Sequence, residues 1–341
     1  MLNAVYQLVR PRQFEVTFSQ LGLDEKNILV RPTYLSICNA DQRYYQGKRS
    51  EDILRQKLPM ALIHEGIGNV VYDPSGTFAP GEKVVMIPNV PCEHSDVIAE
   101  NYLRSSRFRG SSMDGFMQEY VATRADRIVR IPDAVGNDTV AAFTEMVSVC
   151  YHCLSRFDRT AHSQRETLGV WGDGNMGYFT ALLLRTLYPD AAVLVFGVDS
   201  EKLGTFSFAD GVFNVSRIPA NLLVDHAFEC VGGNAAGQVI NQIIDHIQPE
   251  GTIAILGVSE DPVPIFTRMV LEKGLRILGT SRSGRADFEG LISLYASNPE
   301  VVSYLEKMVG AVVPVRDVKD AVTAFEMDIR KGMGKTIMEW N

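Results

Sequence analysis

A glycine-rich turn constrains the fold of this chain more than any other stretch. The run 172–177, GDGNMG, follows the apolar segment 167–171 and precedes the apolar segment 178–184. Strand, turn and helix in this order are the context in which G-x-G-x-x-G binds a dinucleotide. The first glycine would permit the tight turn, the second would admit a pyrophosphate to the backbone, and the third would let helix pack on strand. The predicted cofactor-binding residues in this turn are Gly172, Gly174, Asn175, Met176 and Gly177.

The alternative is a glycine-rich turn that serves packing alone. The dinucleotide interpretation is favoured because the N-terminus of the following helix would present backbone N–H groups and the positive end of its dipole to phosphates.

Length and composition bound the possible functions. A chain of 341 residues predicts two domains, or one domain split by another. The net charge of −8 argues against general binding to nucleic acid or a membrane surface, although a local basic pocket for a small anion stays possible. Neither an apolar span of membrane length nor a signal peptide is predicted. Five scattered cysteines do not suggest a disulfide framework, so we expect reduced thiols and a cytoplasmic location.

Periodicity along the chain predicts an α/β protein with two kinds of architecture. Residues 1 to about 90 alternate short apolar runs with turns, which predicts an irregular β-rich barrel, followed by a long polar loop. Further elements are predicted as strands at 115–122 and 127–132 and a helix over 138–156. From residue 168 strands alternate with helices, which predicts a parallel, doubly wound sheet. The elements of that half are strands 168–171, 193–196, 225–229, 252–256 and 275–279 and helices 175–187 and 235–247. Helix 287–297 and the segment 311–341 are expected to pack back on the first half.

Three residues in the first half have the side chains of a metal site. Cys38 and the adjacent pair His64-Glu65 offer a thiolate, an imidazole and a carboxylate, which together suit zinc with one open position. Taken alone, Cys38 would equally fit a small buried hydrophobe, and His64 a core histidine. The residues by themselves leave both interpretations open.

Several motifs occur in the order found in the zinc-dependent medium-chain dehydrogenase/reductase family, which the chain resembles over essentially its whole length. These are the segments 36–41, 64–68, 81–85, 114–120, 172–177 and 248–252. The resemblance implies a GroES-like β-rich catalytic domain, interrupted by a Rossmann domain and completed by the C-terminal segment. The expected limits are 1–137 for the first part of the catalytic domain, 138–285 for the Rossmann domain and 286–341 for the closing segment.

The resemblance also implies a catalytic zinc site. The polyol branch of the family places a glutamate ahead of the Rossmann domain, and the segment 141–145 supplies one in this chain. The zinc set implied by the resemblance is Cys38, His64, Glu65 and Glu145, the last binding through water. Asp41 would hold a ligand histidine in the required tautomer.

The chain departs from the family pattern in three places. The family's structural-zinc lobe needs four cysteines, and only Cys92 is present, so we expect no structural zinc. Cys92, His94 and Asp96 could form an unrelated metal site, but a polar loop without a metal is the favoured interpretation. Ala40 stands where many members carry a proton-relay Ser or Thr, so Tyr44, or water on Glu145, would serve as proton donor. The C-x-x-C at 150–153 lies in a predicted helix without a thioredoxin-like setting, so we expect its cysteines to pack in the core.

The choice of nicotinamide cofactor depends on the end of the second Rossmann strand. NAD-binding members carry an acidic residue there to hold the ribose 2′-OH. Gly197 lies 20 residues after Gly177, near that place. A missing carboxylate removes repulsion against a 2′-phosphate, which Ser200 or Lys202 could contact, so NADP(H) is predicted. If Asp199 is the strand-end acid instead, NAD is predicted.

Further segments resemble the branch of the family that reduces ribulose 5-phosphate to ribitol 5-phosphate for CDP-ribitol and teichoic acid or capsule synthesis. They are residues 40–45, 99–103, 171–175, 227–233 and 279–285. The resemblance implies a small sugar phosphate as substrate, a homo-oligomer, and a cytidylyltransferase that takes up the product. Guanidinium groups bind phosphate well, and the candidate anchors are Arg43, Arg282 and Arg285.

Three other functions are weighed against this one. An NAD-linked polyol or polyol-phosphate dehydrogenase differs in its cofactor. A zinc-free enzyme resembling quinone reductases would have no use for Cys38, His64, Glu65 and Glu145. A non-catalytic dinucleotide-binding protein would have no use for an open zinc site.

Overall fold

The computed structural model describes residues 1–23 and 26–340. The chain divides into two compact units, residues 1–148 with 283–341, and residues 149–282. The limits predicted from the sequence are 137/138 and 285/286. The first limit differs because the helix Thr144–Thr160 starts in the first unit and continues into the second.

The strands are numbered in chain order. They are β1 (Leu2–Arg10), β2 (Gln13–Gln20), β3 (Ile28–Ser36), β4 (Met60–Ala61), β5 (Glu65–Tyr72), β6 (Lys83–Met86), β7 (Asn89–Val90), β8 (Arg107–Phe108), β9 (Val121–Thr123), β10 (Ile128–Arg130), β11 (Thr167–Trp171), β12 (Ala192–Gly197), β13 (Gly211–Asn214), β14 (His226–Glu229), β15 (Thr252–Ile255), β16 (Arg276–Gly279), β17 (Val309–Val315) and β18 (Lys335–Trp340).

The α-helices are numbered in the same way, and short 3-10 turns connect some elements. The helices are α1 (Asn39–Tyr45), α2 (Glu51–Lys57), α3 (Asp138–Ala141), α4 (Thr144–Thr160), α5 (Asn175–Leu187), α6 (Ser200–Leu203), α7 (Ala236–His246), α8 (Thr267–Glu272), α9 (Arg285–Ser297), α10 (Pro299–Glu306) and α11 (Val318–Arg330). None of them, within the described ranges, is both long and apolar enough to cross a membrane.

The first unit is built around a sheet in the order β10-β6-β5-β3-β18-β17, with β9 also paired to β3. The last strand, β18, lies antiparallel to β3 and pairs Ile337 with Ser36. On the other side of β3, Ser36 pairs with Glu65 at the start of β5. The closing segment therefore packs on the first half, as predicted, and three strands meet where β3 leads to Cys38.

The second unit contains a six-stranded parallel sheet in the order β13-β12-β11-β14-β15-β16. This is the strand order of a Rossmann domain. The central strand β11 is apolar and buried from Leu168 to Trp171, as expected of a strand covered on both faces. The α/β class with a β-rich unit and a doubly wound unit is confirmed.

Two predicted elements are wrong. Only the end of the predicted strand 115–122 is a strand, at β9, because residues 115–117 bond instead to residues 61–63, at the end of β4 and just after it. The predicted helix 138–156 is two helices, α3 and α4, separated at residues 142–143. The apolar positions that suggested one helix are nevertheless all buried, namely Val140, Phe143, Val147 and Cys150.

Candidate active site

The segment that carries His64 is held by a glycine-dependent contact. The Asp114 carboxylate accepts a 2.7 Å hydrogen bond from the N–H of Ala61, and Phe116 N–H donates to the Ile63 carbonyl at 2.7 Å. A Cβ on Gly115 would lie 2.3 Å from the same carbonyl oxygen, so this approach requires glycine. The family motif at 114–120 therefore serves as the support of the His64 segment.

The residue before His64 has a strained backbone. Ile63 has a φ of +69°, which is sterically unfavourable for a β-branched side chain. Its N–H donates to the Asp41 carboxylate at 3.0 Å, and its carbonyl accepts from Phe116. Strain of this kind persists only where surrounding contacts hold it, and it is concentrated at functional sites.

The buried carboxylate of Asp41 ties the two liganding segments together. Asp41 Oδ2 accepts from the N–H of Cys38 at 3.1 Å, across the start of α1, and Oδ1 accepts from Ile63. Oδ1 also lies 3.4 Å from Nδ1 of His64. An acceptor beside Nδ1 leaves Nε2 as the nitrogen available to a metal ion, which is the orienting role expected of Asp41.

Cys38, His64 and Glu65 form a group that can hold a metal ion. Their ligand atoms all lie within 4.8 Å of one another, and no other group of three such side chains occurs in the described part of the chain. His64 and Glu65 are buried, and Cys38 is half-buried. Three ligands of these kinds, a thiolate, an imidazole and a carboxylate, fit a zinc ion that keeps an open position.

The electrostatics of this group favour a cation. Burial lowers the pKa of His64, but the Asp41 carboxylate and the Cys38 sulfur outweigh it, and the net pKa lies well above the ordinary value. Burial and Glu65 raise the pKa of the Cys38 thiol. Surroundings that stabilise a positive histidine in spite of burial would also stabilise a metal cation, whose charge would in turn favour the thiolate.

Glu145 lies in the first turn of α4 and is 6% exposed. Burial raises the pKa of its carboxyl to about 7, His64 opposes the rise, and Glu65 adds to it. A carboxyl with a pKa near neutrality can both hold and release a proton under working conditions. Glu145 stands outside the group of three, and its ligation of zinc through water stays a prediction.

Lys335 is a site residue that the sequence did not reveal. Its Nζ lies 2.9 Å from Oε1 and 2.8 Å from Oε2 of Glu65, and the two side chains are 1% and 0% exposed. Burial lowers the pKa of Lys335, but Glu65 and Cys38 raise it more, so the ammonium stays charged. The partners lie 270 positions apart, and no local pattern indicated their pairing.

Tyr44 and Arg43 follow the metal group along α1. Tyr44 is 5% exposed within the core of the first unit, and the Arg49 guanidinium lies 5.1 Å from the centre of its ring. Arg43 is half-buried on the same helix. Their roles as proton donor and phosphate anchor stay predictions.

The other two candidate phosphate anchors differ in their surroundings. The Arg285 guanidinium donates to the carbonyl oxygens of Ala125 and Ile128 at 3.0 and 3.1 Å, and it pairs with Glu289. Donors engaged by protein acceptors argue against Arg285 as an anchor. Arg282 is half-buried and has a φ of +58°, an uncommon conformation for a residue with a side chain.

The polar loop that contains Cys92 is held by the Glu100 carboxylate. Arg127 donates to both oxygens of Glu100 at 2.8 and 3.1 Å, and the N–H of Arg285 donates to Glu100 at 2.8 Å. Cys92 is exposed, as are His94 and Asp96, which bond to one another. The absence of a structural zinc stays a prediction.

In the second unit the glycine turn has the geometry expected of a dinucleotide site. Gly172 has a φ of +135°, and a Cβ on Gly177 would lie 1.9 Å from the Gly172 carbonyl oxygen. Around Gly174, which precedes α5, a Cβ would meet no heavy atom within 4 Å. The turn is therefore tight, the helix packs closely on it, and space for a pyrophosphate is left at the helix N-terminus.

Gly197 and Asp199 are the two residues that could decide which nicotinamide cofactor this candidate site would bind. β12 ends at Gly197, which makes it the strand-end residue. Asp199 follows the strand, and its carboxylate accepts from the N–H groups of Glu201 and Lys202 at 2.9 and 3.2 Å. The Asp199 carboxylate therefore caps α6, and Gly197 is the residue at the end of the strand. Because the strand ends without an acidic side chain, this geometry favours NADP(H) over NAD.

The C-x-x-C of α4 packs in the interior of the second unit. Cys150 and Cys153 are both fully buried, and burial raises the pKa of the Cys153 thiol well above its ordinary value. A buried, protonated thiol is a poor nucleophile, so the core-packing interpretation holds.

Replacing Asp41 with asparagine is expected to weaken zinc affinity about 10–100-fold, because an outer carboxylate that orients a histidine ligand contributes about that much. Zinc affinity would be measured by competition with a chromogenic chelator. Asp52→Asn on the exposed face of α2 is the matched control and should leave the affinity unchanged. Equal affinity in the Asp41 and Asp52 variants would exclude an orienting role for Asp41.

Two family models match this chain, one in each half. Residues 24–133 match the model described as the alcohol dehydrogenase GroES-like domain. Residues 209–297 match the zinc-binding dehydrogenase model. The first match includes the metal group, and the second lies mostly in the parallel-sheet unit.

Curated relatives match the chain from end to end. The ribulose-5-phosphate reductase of Bacillus spizizenii is 54% identical, with 100% of this chain and 99% of the relative covered. The ribulose-5-phosphate reductase of Streptococcus pneumoniae is 45% identical, with 100% and 98% covered. A crystal structure of S. aureus TarJ in complex with NADPH is 47% identical, covers 100% of both chains and has a TM-score of 0.90.

Proposed function

The chain belongs to the zinc-binding medium-chain dehydrogenase/reductase family, and we propose that it reduces ribulose 5-phosphate to ribitol 5-phosphate with NADPH. The observation that carries the proposal is the group of Cys38, His64 and Glu65, in a chain 54% identical to a ribulose-5-phosphate reductase over its full length. Zinc and NADP(H) are the cofactors.

The bound groups supply the chemistry: zinc acts as a Lewis acid on the ketone oxygen, and NADPH provides the hydride. The chain's residues bind and orient. Cys38, His64 and Glu65 would hold the ion, and Asp41 would fix the histidine tautomer. Lys335 pairs with both oxygens of Glu65 in the interior. The glycine turn holds the cofactor's pyrophosphate.

Reduction of a ketone to an alcohol requires a proton at the substrate oxygen. We infer that Glu145, alone or through a water molecule, supplies it, because burial favours the protonated form of its carboxyl. Tyr44 is the alternative donor. Replacement of Glu145 by glutamine should lower kcat while leaving the affinity for NADPH unchanged, since NADPH binds at the glycine turn.

The direct test is NADPH oxidation with ribulose 5-phosphate, compared with NADH and with xylulose 5-phosphate and unphosphorylated ribulose. We expect turnover with NADPH and a strong preference for ribulose 5-phosphate. Faster turnover with NADH would favour a polyol-phosphate dehydrogenase. NADPH binding without turnover of any of these substrates would favour a non-catalytic binding protein.

We propose a homodimer that forms along the outer edge of the parallel sheet. β16 is an outer strand, and Ile277 on it is 40% exposed. Leu271 on the preceding helix is 80% exposed, and Phe266 is 54% exposed. An open strand edge with exposed apolar side chains is a surface that proteins usually cover.

Light scattering after size exclusion should therefore give twice the chain mass. Leu271→Asp and Ile277→Asp should shift the mass to that of one chain. Leu23→Asp is the control, because it changes an exposed apolar residue of the first unit, and it should leave the mass unchanged. A monomeric wild-type protein would contradict the dimer.

Three finer points stay proposals. The product, ribitol 5-phosphate, would pass to a cytidylyltransferase. A cytoplasmic location would supply both NADPH and reduced cysteines. Among the phosphate anchors, Arg43 and Arg282 are favoured over Arg285, whose guanidinium is engaged by backbone carbonyls.

A further inference from the structure

The glycine turn carries an acidic side chain that the roles above do not use. Asp173 Oδ2 accepts hydrogen bonds from the N–H groups of Val198 and Asp199 at 2.7 and 2.8 Å. These two residues directly follow β12. A carboxylate from the turn therefore lies at the end of the second Rossmann strand, where other family members place an acid on the strand itself.

With Asp173 in this position, only glycine fits at position 197. A Cβ on Gly197 would lie 2.6 Å from both Cβ and Oδ2 of Asp173. Because Cβ is not the far end of a flexible side chain, rotation of Asp173 would not relieve the clash. With this backbone, a side chain at 173 and a side chain at 197 exclude one another.

The backbone after β12 is held on more than one side. The carbonyl of Val198 accepts a hydrogen bond from Asn214 Nδ2 at 3.2 Å, and the N–H of Val198 donates to Asp173. Asp199 then caps α6, which begins at Ser200. The segment that leads to Ser200 and Lys202 is thus fixed before any cofactor binds.

We propose that Asp173 is a positioning residue that sets the preference for NADPH, an inference that rests on the NADPH-dependent function proposed above. Its side chain leaves room only for glycine at position 197, so β12 itself ends without an acid for a ribose 2′-OH. Oδ2 is itself engaged by two backbone N–H groups. The same bonds hold the start of the segment that carries Ser200 and Lys202, the candidate contacts for the extra phosphate of NADPH.

The first test measures dissociation constants of NADPH and NADH by fluorescence titration of Asp173→Ala. We expect the constant for NADPH to rise about tenfold, the equivalent of one lost hydrogen bond, and that for NADH to rise less than about threefold. Asp190→Ala, an exposed aspartate beyond the other end of α5, is the matched control and should change neither constant. An equal or larger loss for NADH would overturn the proposal, because it would show a general or ribose-binding role.

The second test uses the exclusion between positions 173 and 197. Gly197→Ala alone should weaken NADPH binding and lower the melting temperature. Adding Asp173→Gly removes the opposing Cβ but also the two hydrogen bonds of Asp173, so it should recover part of the melting temperature that Gly197→Ala loses. Additive losses in the double variant would overturn the proposal. Melting temperature separates the clash from any effect on catalysis.

Failure of this inference and failure of the proposed function are distinguishable. The titrations need no substrate, so a wild-type protein that binds NADPH more tightly than NADH but does not reduce ribulose 5-phosphate would contradict the function alone. A wild-type protein that binds NADH more tightly would overturn the inference about Asp173.

Discussion

Cys38→Ser is expected to lose its zinc and to lower kcat/KM for ribulose 5-phosphate by about a thousandfold, since Lewis-acid assistance contributes several kcal/mol. The thiolate is the strongest zinc ligand of the group with His64 and Glu65. The glycine turn lies in the other compact unit, so the affinity for NADPH should change little.

Zinc content per chain, steady-state rates and NADPH titration would be measured together on this variant. Cys92→Ser makes the same chemical change at an exposed thiol and serves as the matched control. It should keep both zinc and activity. A Cys38→Ser protein with full zinc content and full activity would contradict the proposed ligand set, and zinc loss in the Cys92 variant would point to a second metal site.

Lys335→Met is expected to cost about 3–5 kcal/mol of unfolding free energy in the zinc-free protein, because it leaves the Glu65 carboxylate buried without its partner. The two side chains are 1% and 0% exposed, so solvent cannot replace the ammonium. With zinc bound the loss should be smaller, since a cation beside Glu65 compensates the charge. Urea unfolding of both forms would measure the difference.

Two further variants serve as controls for this prediction. Adding Glu65→Gln to Lys335→Met removes the uncompensated charge and should recover much of the lost stability in the zinc-free form. Arg55→Met breaks an exposed pair with Glu51 and should cost less than about 0.5 kcal/mol. A Lys335→Met protein as stable as the wild type would show that Glu65 does not need its partner to remain buried.

The second unit was predictable from the sequence almost element by element. Helix α5 spans 175–187 as predicted, and the five predicted strands of the parallel sheet differ from the observed ones by at most one residue at each end. The outer strand β13 was not predicted. Buried parallel strands are continuous apolar runs, and turn residues separate them from helices, so the information lies within short windows.

The first unit depends more on contacts between distant residues. The segment 115–122 suggested a strand, but Gly115 and Phe116 bond to the segment 61–63, a contact that the local sequence pattern does not reveal. The metal group followed from a family resemblance, because Cys38 and His64 alone would equally fit a core.

Two site residues, Lys335 and Asp173, were not predicted in their roles. Lys335 pairs with Glu65 across 270 positions, and Asp173 bonds to Val198 across 25. Long-range polar pairing is set by tertiary packing, and neither residue stands out in composition or spacing.

The central claim is a zinc-dependent reduction of ribulose 5-phosphate by NADPH. Its most direct test is the amount of ribitol 5-phosphate formed per NADPH oxidised, measured on the purified protein, after chelation, and after zinc is returned. We predict one product molecule per NADPH, loss of turnover on chelation and recovery with zinc. Undiminished turnover by zinc-free protein, or NADPH oxidation without ribitol 5-phosphate, would contradict the account.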